Sequence, residues 1–145
     1  MRISFIYPLI GRMLTFLLWP MGGVNAGEVA SSLAVASTAE FIHENYSSAT
    51  DIRLLLRQAV SEANRTVYQT ARSDKTFDSM GTTLVAAIIK DGLVYVANVG
   101  DSRCYILRKG EFRQISIDHS YVQEMVDKGV LTPTEAQKHP KRGGI

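Results

Sequence analysis

Residues Thr82–Ile117 read TTLVAAIIKDGLVYVANVGDSRCYILRKGEFRQISI. Thr82–Lys90 and Leu93–Gly100 are runs of aliphatic and β-branched residues bounded by turn formers, the pattern of strands. Asp91-Gly92 between them is a two-residue hairpin signal, because both positions tolerate positive φ. Arg103–Arg108 (RCYILR) and Glu111–Ile117 (EFRQISI) repeat the arrangement around Lys109-Gly110. The first two runs are apolar almost throughout, which predicts a sheet covered on both faces.

Upstream the period changes. Gly27–Tyr46 reads as a helix, with Val29, Leu33, Ala36 or Ser37, and Phe41 recurring near 3.6 residues. Ala30, Ala34 and Ala36 are small enough to permit close packing. Ser47–Thr50 breaks the pattern. Asp51 opens a second helix to about Arg72, with Ile52, Leu55, Leu56, Ala59, Ala63 and Val67 on one side. The short break predicts an antiparallel helix pair. Downstream, YVQEMVDKG after Ser120 reads as a short helix with Gly129 as its C-cap. Thr132-Pro133-Thr134-Glu135 begins another, with a capping box and proline in the first turn. The fold class is α+β.

The chain has 145 residues, 46% hydrophobic and 21% charged, which are values of one globular domain and exclude a largely disordered chain. Cys104 is the single cysteine, so a disulfide framework and a multi-cysteine metal site are excluded. The net charge is +2 and the basic residues are scattered, which leaves no nucleic-acid footprint. Residues 1–20, MRISFIYPLIGRMLTFLLWP, are apolar and differ in character from residues 21–145. Pro8 and Arg12 interrupt them, so they do not supply the roughly 20 apolar residues of a membrane span. One reading is a buried strand or helix. The other is a secretory leader, with Met13–Val24 as apolar region and Val24-Asn25-Ala26 as cleavage site.

The turn Gly100-Asp101-Ser102-Arg103 is the best chemical candidate. A carboxylate in a tight turn after an apolar strand can meet a hard cation. The same residues also suit a structural turn in which Asp101 or Ser102 bonds nearby backbone. His43, His119 and His139 have no short ligand spacing and suit solvated or capping roles. Cys104 reads as a core residue of its strand, and Lys141-Arg142 is too short a basic run for a nucleic-acid site.

Taken in order, Met21–Ser31 (MGGVNAGEVAS), Met80–Ile89 (MGTTLVAAII), Val94–Ser116, Asp118–Val126 (DHSYVQEMV) and His139–Arg142 (HPKR) resemble the bacterial metal-dependent protein serine/threonine phosphatases of type 2C. The resemblance covers about residues 21–142. It implies part of an α-β-β-α sandwich, antiparallel sheets flanked by paired helices. It also implies phosphoprotein hydrolysis by a water activated between two Mg²⁺ or Mn²⁺ ions. Phosphorylated proteins and a cognate serine/threonine kinase are the implied partners, with no nucleic acid and no membrane. The implied location is cytoplasmic, the alternative being secretion or membrane association through residues 1–26.

The departures from that pattern are as informative. The family's first strand carries an arginine and an Asn-Glu-Asp run that this chain lacks. The family's metal-bridging Ala-Asp-Gly falls on Leu18, Trp19 and Pro20, and its later Ser-Asp-Gly and Asp-Asn aspartates have no counterpart before Ile145. Asp101 alone matches a family aspartate, one linked to an accessory third metal. The resemblance therefore implies a truncated phosphatase, inactive as this chain, with Asp101 its metal position and no catalytic or other cofactor-binding residue. A non-catalytic binding module is the alternative. Residues 1–20 then form a segment outside the family and 21–145 a partial domain. Read one frame over, the codons of Trp19-Pro20-Met21-Gly22 permit Ala-Asp-Gly, so an out-of-frame reading accounts for the segment.

Overall fold

The computed structural model describes residues 3–9, 12–18, 26–119, 124–126 and 128–139, with the backbone alone for 3–18 and Gln137. Two compact units divide between Ala97 and Asn98. The expected Met21–Asn25 turn, the start of the helix at Ser120–Gln123, Trp19-Pro20 and the end of HPKR lie outside the described residues.

The first unit opens with β1 (Ile3–Leu9) and β2 (Arg12–Leu18), paired antiparallel from Ile3↔Leu18 to Leu9↔Arg12. Of strand or helix, the backbone here takes the strand, and β2 runs close beside β3 (Leu84–Lys90). No helix among the described residues is long and apolar enough to cross a membrane.

Helix α1 spans Gly27–Asn45 and α2 spans Ile52–Ser73. The 19 residues of α1 run about 28 Å at 1.5 Å per residue. The connection Tyr46–Asp51 is too short to carry the chain back that distance. Helices that pack on each other with so short a link are therefore antiparallel, as their spacing predicts. Asp51 starts α2 by accepting from the N–H groups of Arg53 at 2.8 Å and Leu54 at 3.3 Å. The buried side of α2 is Ile52, Leu55, Leu56, Ala59, Ala63 and Val67, the expected stripe.

The stripe expected on α1 is displaced by one position. Val29 is exposed and Leu33 and Phe41 sit at the margin of the core, while Ala30, Ser31, Ala34, Val35, Thr38, Ala39 and Ile42 are buried. Small residues win the inner face because they let the backbones approach, whereas the larger ones flank the contact. The buried hydroxyls are satisfied within the helix: Ser31 donates to Glu28 O at 3.0 Å and Thr38 to Ala34 O at 2.7 Å.

Leu84, Ala86 and Ile88 of β3 alternate into the same core. β3 pairs with β4 (Leu93–Val99) through Asp91 and Gly92, whose φ values of 52° and 76° make the expected primed turn. The expectation of a sheet covered on both faces is met only in part. Ile89, Leu93, Val94 and Val99, toward the strand ends, are exposed, while Val85 and Ala87 on the outer side of β3 are half-buried and Tyr95 and Ala97 pack against the core. Lys90 at the end of β3 donates to Ser48 O at 2.9 Å and Thr50 O at 3.3 Å, tying the strand to the helix connection.

The second unit is built on β5 (Tyr105–Arg108) and β6 (Glu111–Gln114), joined by Lys109 and Gly110 at φ 53° and 83°. Both strands are shorter than their sequence pattern, because the ladder breaks at Cys104. The N–H groups of Ile115 and Ser116 both reach Cys104 O, at 2.9 and 3.4 Å, two residues opposite one as in a β-bulge. After a helical turn at 124–126, Gly129 at φ 70° donates to Val126 O at 2.9 Å and Val130 to Met125 O at 2.8 Å, the expected glycine C-cap. Helix α3 (Pro133–Lys138) carries the expected capping box between Thr132 and Glu135.

Ile42→Ala, at a fully buried contact of α1, is expected to cost about 2–5 kcal/mol in a urea titration followed by helix signal. The Thr132 hydroxyl and then the Thr132 N–H hold the Glu135 carboxyl below the usual glutamate value. A group with a lowered folded pKa stabilises at higher pH and loses that contribution as the pH falls through the folded value. Acidification should therefore strip hydrogen-exchange protection from the Thr132 amide, which donates to the Glu135 carboxylate at 2.8 Å, and Glu135→Gln should remove that pH dependence.

Candidate functional site

Asp101 lies in the turn that succeeds β4, half-buried like Ser102 and next to the buried Gly100. Gly100 takes φ 88°, which turns the chain sharply at the strand end and favours glycine there. Its carbonyl accepts from Asn98 Nδ2 at 3.2 Å and from the His119 N–H at 2.8 Å. Asn98 Nδ2 also donates to Ile117 O at 2.8 Å. Two segments distant in sequence, 98–103 and 116–119, are thus joined around one carbonyl.

The junction is closed by a forked ion pair. Arg103 Nε reaches Asp118 Oδ2 at 2.9 Å and Oδ1 at 3.2 Å, and Arg103 Nη2 reaches Oδ2 at 2.7 Å. Gln114 Nε2 adds a bond to Asp118 Oδ1 at 3.0 Å. Asp118 keeps 16% of its side chain exposed and Arg103 53%, so the carboxylate is the desolvated partner. Asp118 first, and then Tyr105, push the Arg103 guanidinium further above its ordinary value. Ser116 Oγ accepts from the Cys104 N–H at 2.8 Å, which fixes the bulge.

Sequence alone singles out Asp101 and misses Asn98, Arg103, Gln114 and Asp118 as a unit. A signal is present nonetheless. The Lys109-Gly110 turn sets a register in which Ser116 lies opposite Arg103, and the bulge takes up one residue and draws Asp118 into reach. Cys104 is half-buried rather than a core residue, and burial pushes its thiol up, away from nucleophilic use. His43 stands in the last turn of α1, His139 caps α3, and His119 contributes its backbone N–H.

A two-metal centre needs several oxygen ligands around each cation. Among the described residues, no three of His, Cys, Asp and Glu lie close enough to hold a metal ion. The residues described do not fit that centre. What they do provide is one carboxylate on a turn with a fixed backbone.

The family profile of Protein phosphatase 2C matches residues 21–141. The serine/threonine phosphatase stp of Listeria welshimeri is 40% identical over 124 residues, covering 84% of this chain and 49% of that protein. The chain thus spans about half the length of the curated Listeria relatives it matches. The crystal structure of the serine/threonine phosphatase Stp1 from Staphylococcus aureus superposes with a TM-score of 0.82 at 35% identity, over 99% of this chain and 57% of that one. The catalytic domain of the serine/threonine protein phosphatase PstP, in complex with two manganese ions, gives a TM-score of 0.70 at 34% identity, over 92% and 56%.

A charge-assisted hydrogen bond contributes about 1.5–3 kcal/mol. Asp118→Ala is expected to destabilise the chain by about that much and to expose the His119 amide to exchange. Asp118→Asn should fall between the parent and Asp118→Ala, since it keeps the shape and loses the charge. Denaturant titration with amide exchange of the three proteins checks this.

Proposed function

The chain belongs to the protein phosphatase 2C family, and we propose that it is the part of a metal-dependent protein serine/threonine phosphatase that presents the accessory-metal carboxylate, Asp101. The observation that carries this is the clasp of Gly100–Arg103 to Ser116–His119. The clasp gives Asp101 a rigid backbone at a strand end, and it unites the two segments, GDSR and DHS, on which the family resemblance turns. In a type 2C phosphatase with its metal centre, the ions would supply a water acidic enough to act as nucleophile at neutral pH. This chain's own contribution is to hold Asp101 in place through Arg103, Asp118 and Asn98.

Turnover by these residues alone is not supported, since one carboxylate does not build a two-metal site. The substrates are then phosphoserine or phosphothreonine proteins, and the natural partner is the kinase that makes them. A cytoplasmic location accords with the single partly buried thiol of Cys104. The division at residue 20, with 1–20 outside the family and 21–145 a partial domain, accords with a profile match that begins at residue 21.

The purified chain is expected to hydrolyse a phosphothreonine peptide no faster than background with Mn²⁺ present. It should bind Mn²⁺ at roughly millimolar strength, like the weakest oxygen-ligand sites. Asp101→Asn should abolish that binding in a calorimetric or paramagnetic line-broadening titration. Micromolar binding that survives the substitution, or Mn²⁺-stimulated hydrolysis lost on Asp101→Ala, would overturn the proposal.

A further inference from the structure

Helices α1 and α2 bury their inner sides in one core, so their outer sides face away from it together. The charges on those outer sides are segregated. α1 carries Glu28, Glu40 and Glu44, all exposed, and no lysine or arginine. α2 carries Arg53, Arg57, Arg65 and Arg72, all exposed, against the single acidic residue Glu62. Arg65 is already bonded to Glu62, Nε to Oε2 at 2.9 Å. Arg72 lies over the Tyr68 ring and donates to its hydroxyl at 3.0 Å. Glu40, Glu44, Arg53 and Arg57 form no ion pair with any described residue.

The spacing of these four charges is matched. Antiparallel helices joined by a short connection place residues equally far from it at the same height. The core obeys this register. Ile42 and Leu55, Thr38 and Ala59, Ala34 and Ala63, and Ala30 and Val67 are all buried, each pair equidistant from the connection. Glu44 and Arg53 are equidistant in the same sense, and so are Glu40 and Arg57. Within each helix the two like charges stand about 6 Å apart, one turn at 1.5 Å per residue. A two-fold axis parallel to the helices, lying over the groove between them, keeps every height and exchanges α1 with α2. It sets Glu44 and Glu40 of one copy against Arg53 and Arg57 of the other, twice over, with the facing helices antiparallel. We propose that this helix face is a self-association surface, on which a second copy of the chain docks with α1 against α2. The face is about 28 Å long and two helices wide, roughly 1,000 Å² in total over both copies, the size of a weak, salt-sensitive interface. A polyanion or an anionic lipid surface fits it worse, because it would meet Glu40 and Glu44 wherever it met Arg53 and Arg57.

The test is reciprocal charge reversal, read by sedimentation equilibrium of the 145-residue chain. The parent is expected to pass from monomer to dimer as its concentration rises. Raising the salt from about 0.05 M to about 0.5 M should weaken the dimer roughly tenfold, as screening of exposed pairs requires. Arg53→Glu with Arg57→Glu makes both outer sides acidic, and Glu40→Arg with Glu44→Arg makes both basic. Each double variant alone should self-associate about a hundredfold more weakly, because four attractive contacts per dimer become repulsive. Mixed together, the two should form a one-to-one heterodimer of parental strength, since every contact is again between opposite charges. A lost fold cannot produce that rescue, and circular dichroism checks each variant besides. A chain that stays monomeric throughout overturns the proposal. So does a dimer indifferent to the reversals, or one that the mixture fails to restore. Uptake by phosphatidylserine vesicles that Arg53→Glu with Arg57→Glu abolishes, unaccompanied by dimers, overturns it in favour of a lipid surface.

Discussion

The first unit depends on how closely two helices and a strand can approach. Ala30, Ala34, Ala59, Ala63 and Ala86 are nearly or fully excluded from solvent, and they share one core with Ile42, Leu55 and Ile88. Small side chains at the contact let the longer ones interdigitate without voids, which is the density a stable interior requires. Everything else in this unit is arranged around that contact. Asp51 sets where α2 begins, and Lys90 ties the end of β3 to the carbonyls between the helices. The outer side of β3 is less fully covered, with Val85 and Ala87 half-buried and Ile89 exposed.

The second unit is organised by backbone geometry more than by burial. Gly100, Lys109, Gly110 and Gly129 all take positive φ, and each marks a change of direction. Between those corners, the bulge opposite Cys104 bends the strand so that a mostly buried carboxylate meets a half-exposed guanidinium. The pair does not need large intrinsic strength. Its effect is to hold Gly100 and His119 within hydrogen-bond distance, and so to decide where Asp101 stands. Loss of Arg103 would leave Asp118 desolvated and uncompensated, which is the more costly failure.

Asp101 is therefore best understood as a presented group rather than a completed site. The family it belongs to is metal-dependent, and a related catalytic domain holds two manganese ions. The described residues fix Asp101 on a clasped turn, and no three of His, Cys, Asp and Glu among them lie close enough to hold a metal ion.

Local rules suffice for much of the chain. The α2 stripe, the Asp51 cap, both two-residue hairpins, the Gly129 cap and the Thr132–Glu135 box arise from residues within a few positions of each other, where propensity and hydrogen bonding act directly. The family is legible because several short motifs keep their order. Three features are not legible. The buried side of α1 lies one position away from its apolar period, because large apolar residues surround that helix and only the partner surface chooses among its faces. The apolar runs of β3 and β4 do not reveal that residues toward their ends stay exposed, since a run of valines and isoleucines reads the same whether or not its ends are packed. The Arg103–Asp118 clasp escapes because it needs a bulge, and a bulge is a response of paired strands to their surroundings. Turn chemistry is written into neighbouring residues, but which faces meet is settled only when distant segments compete for the same buried space.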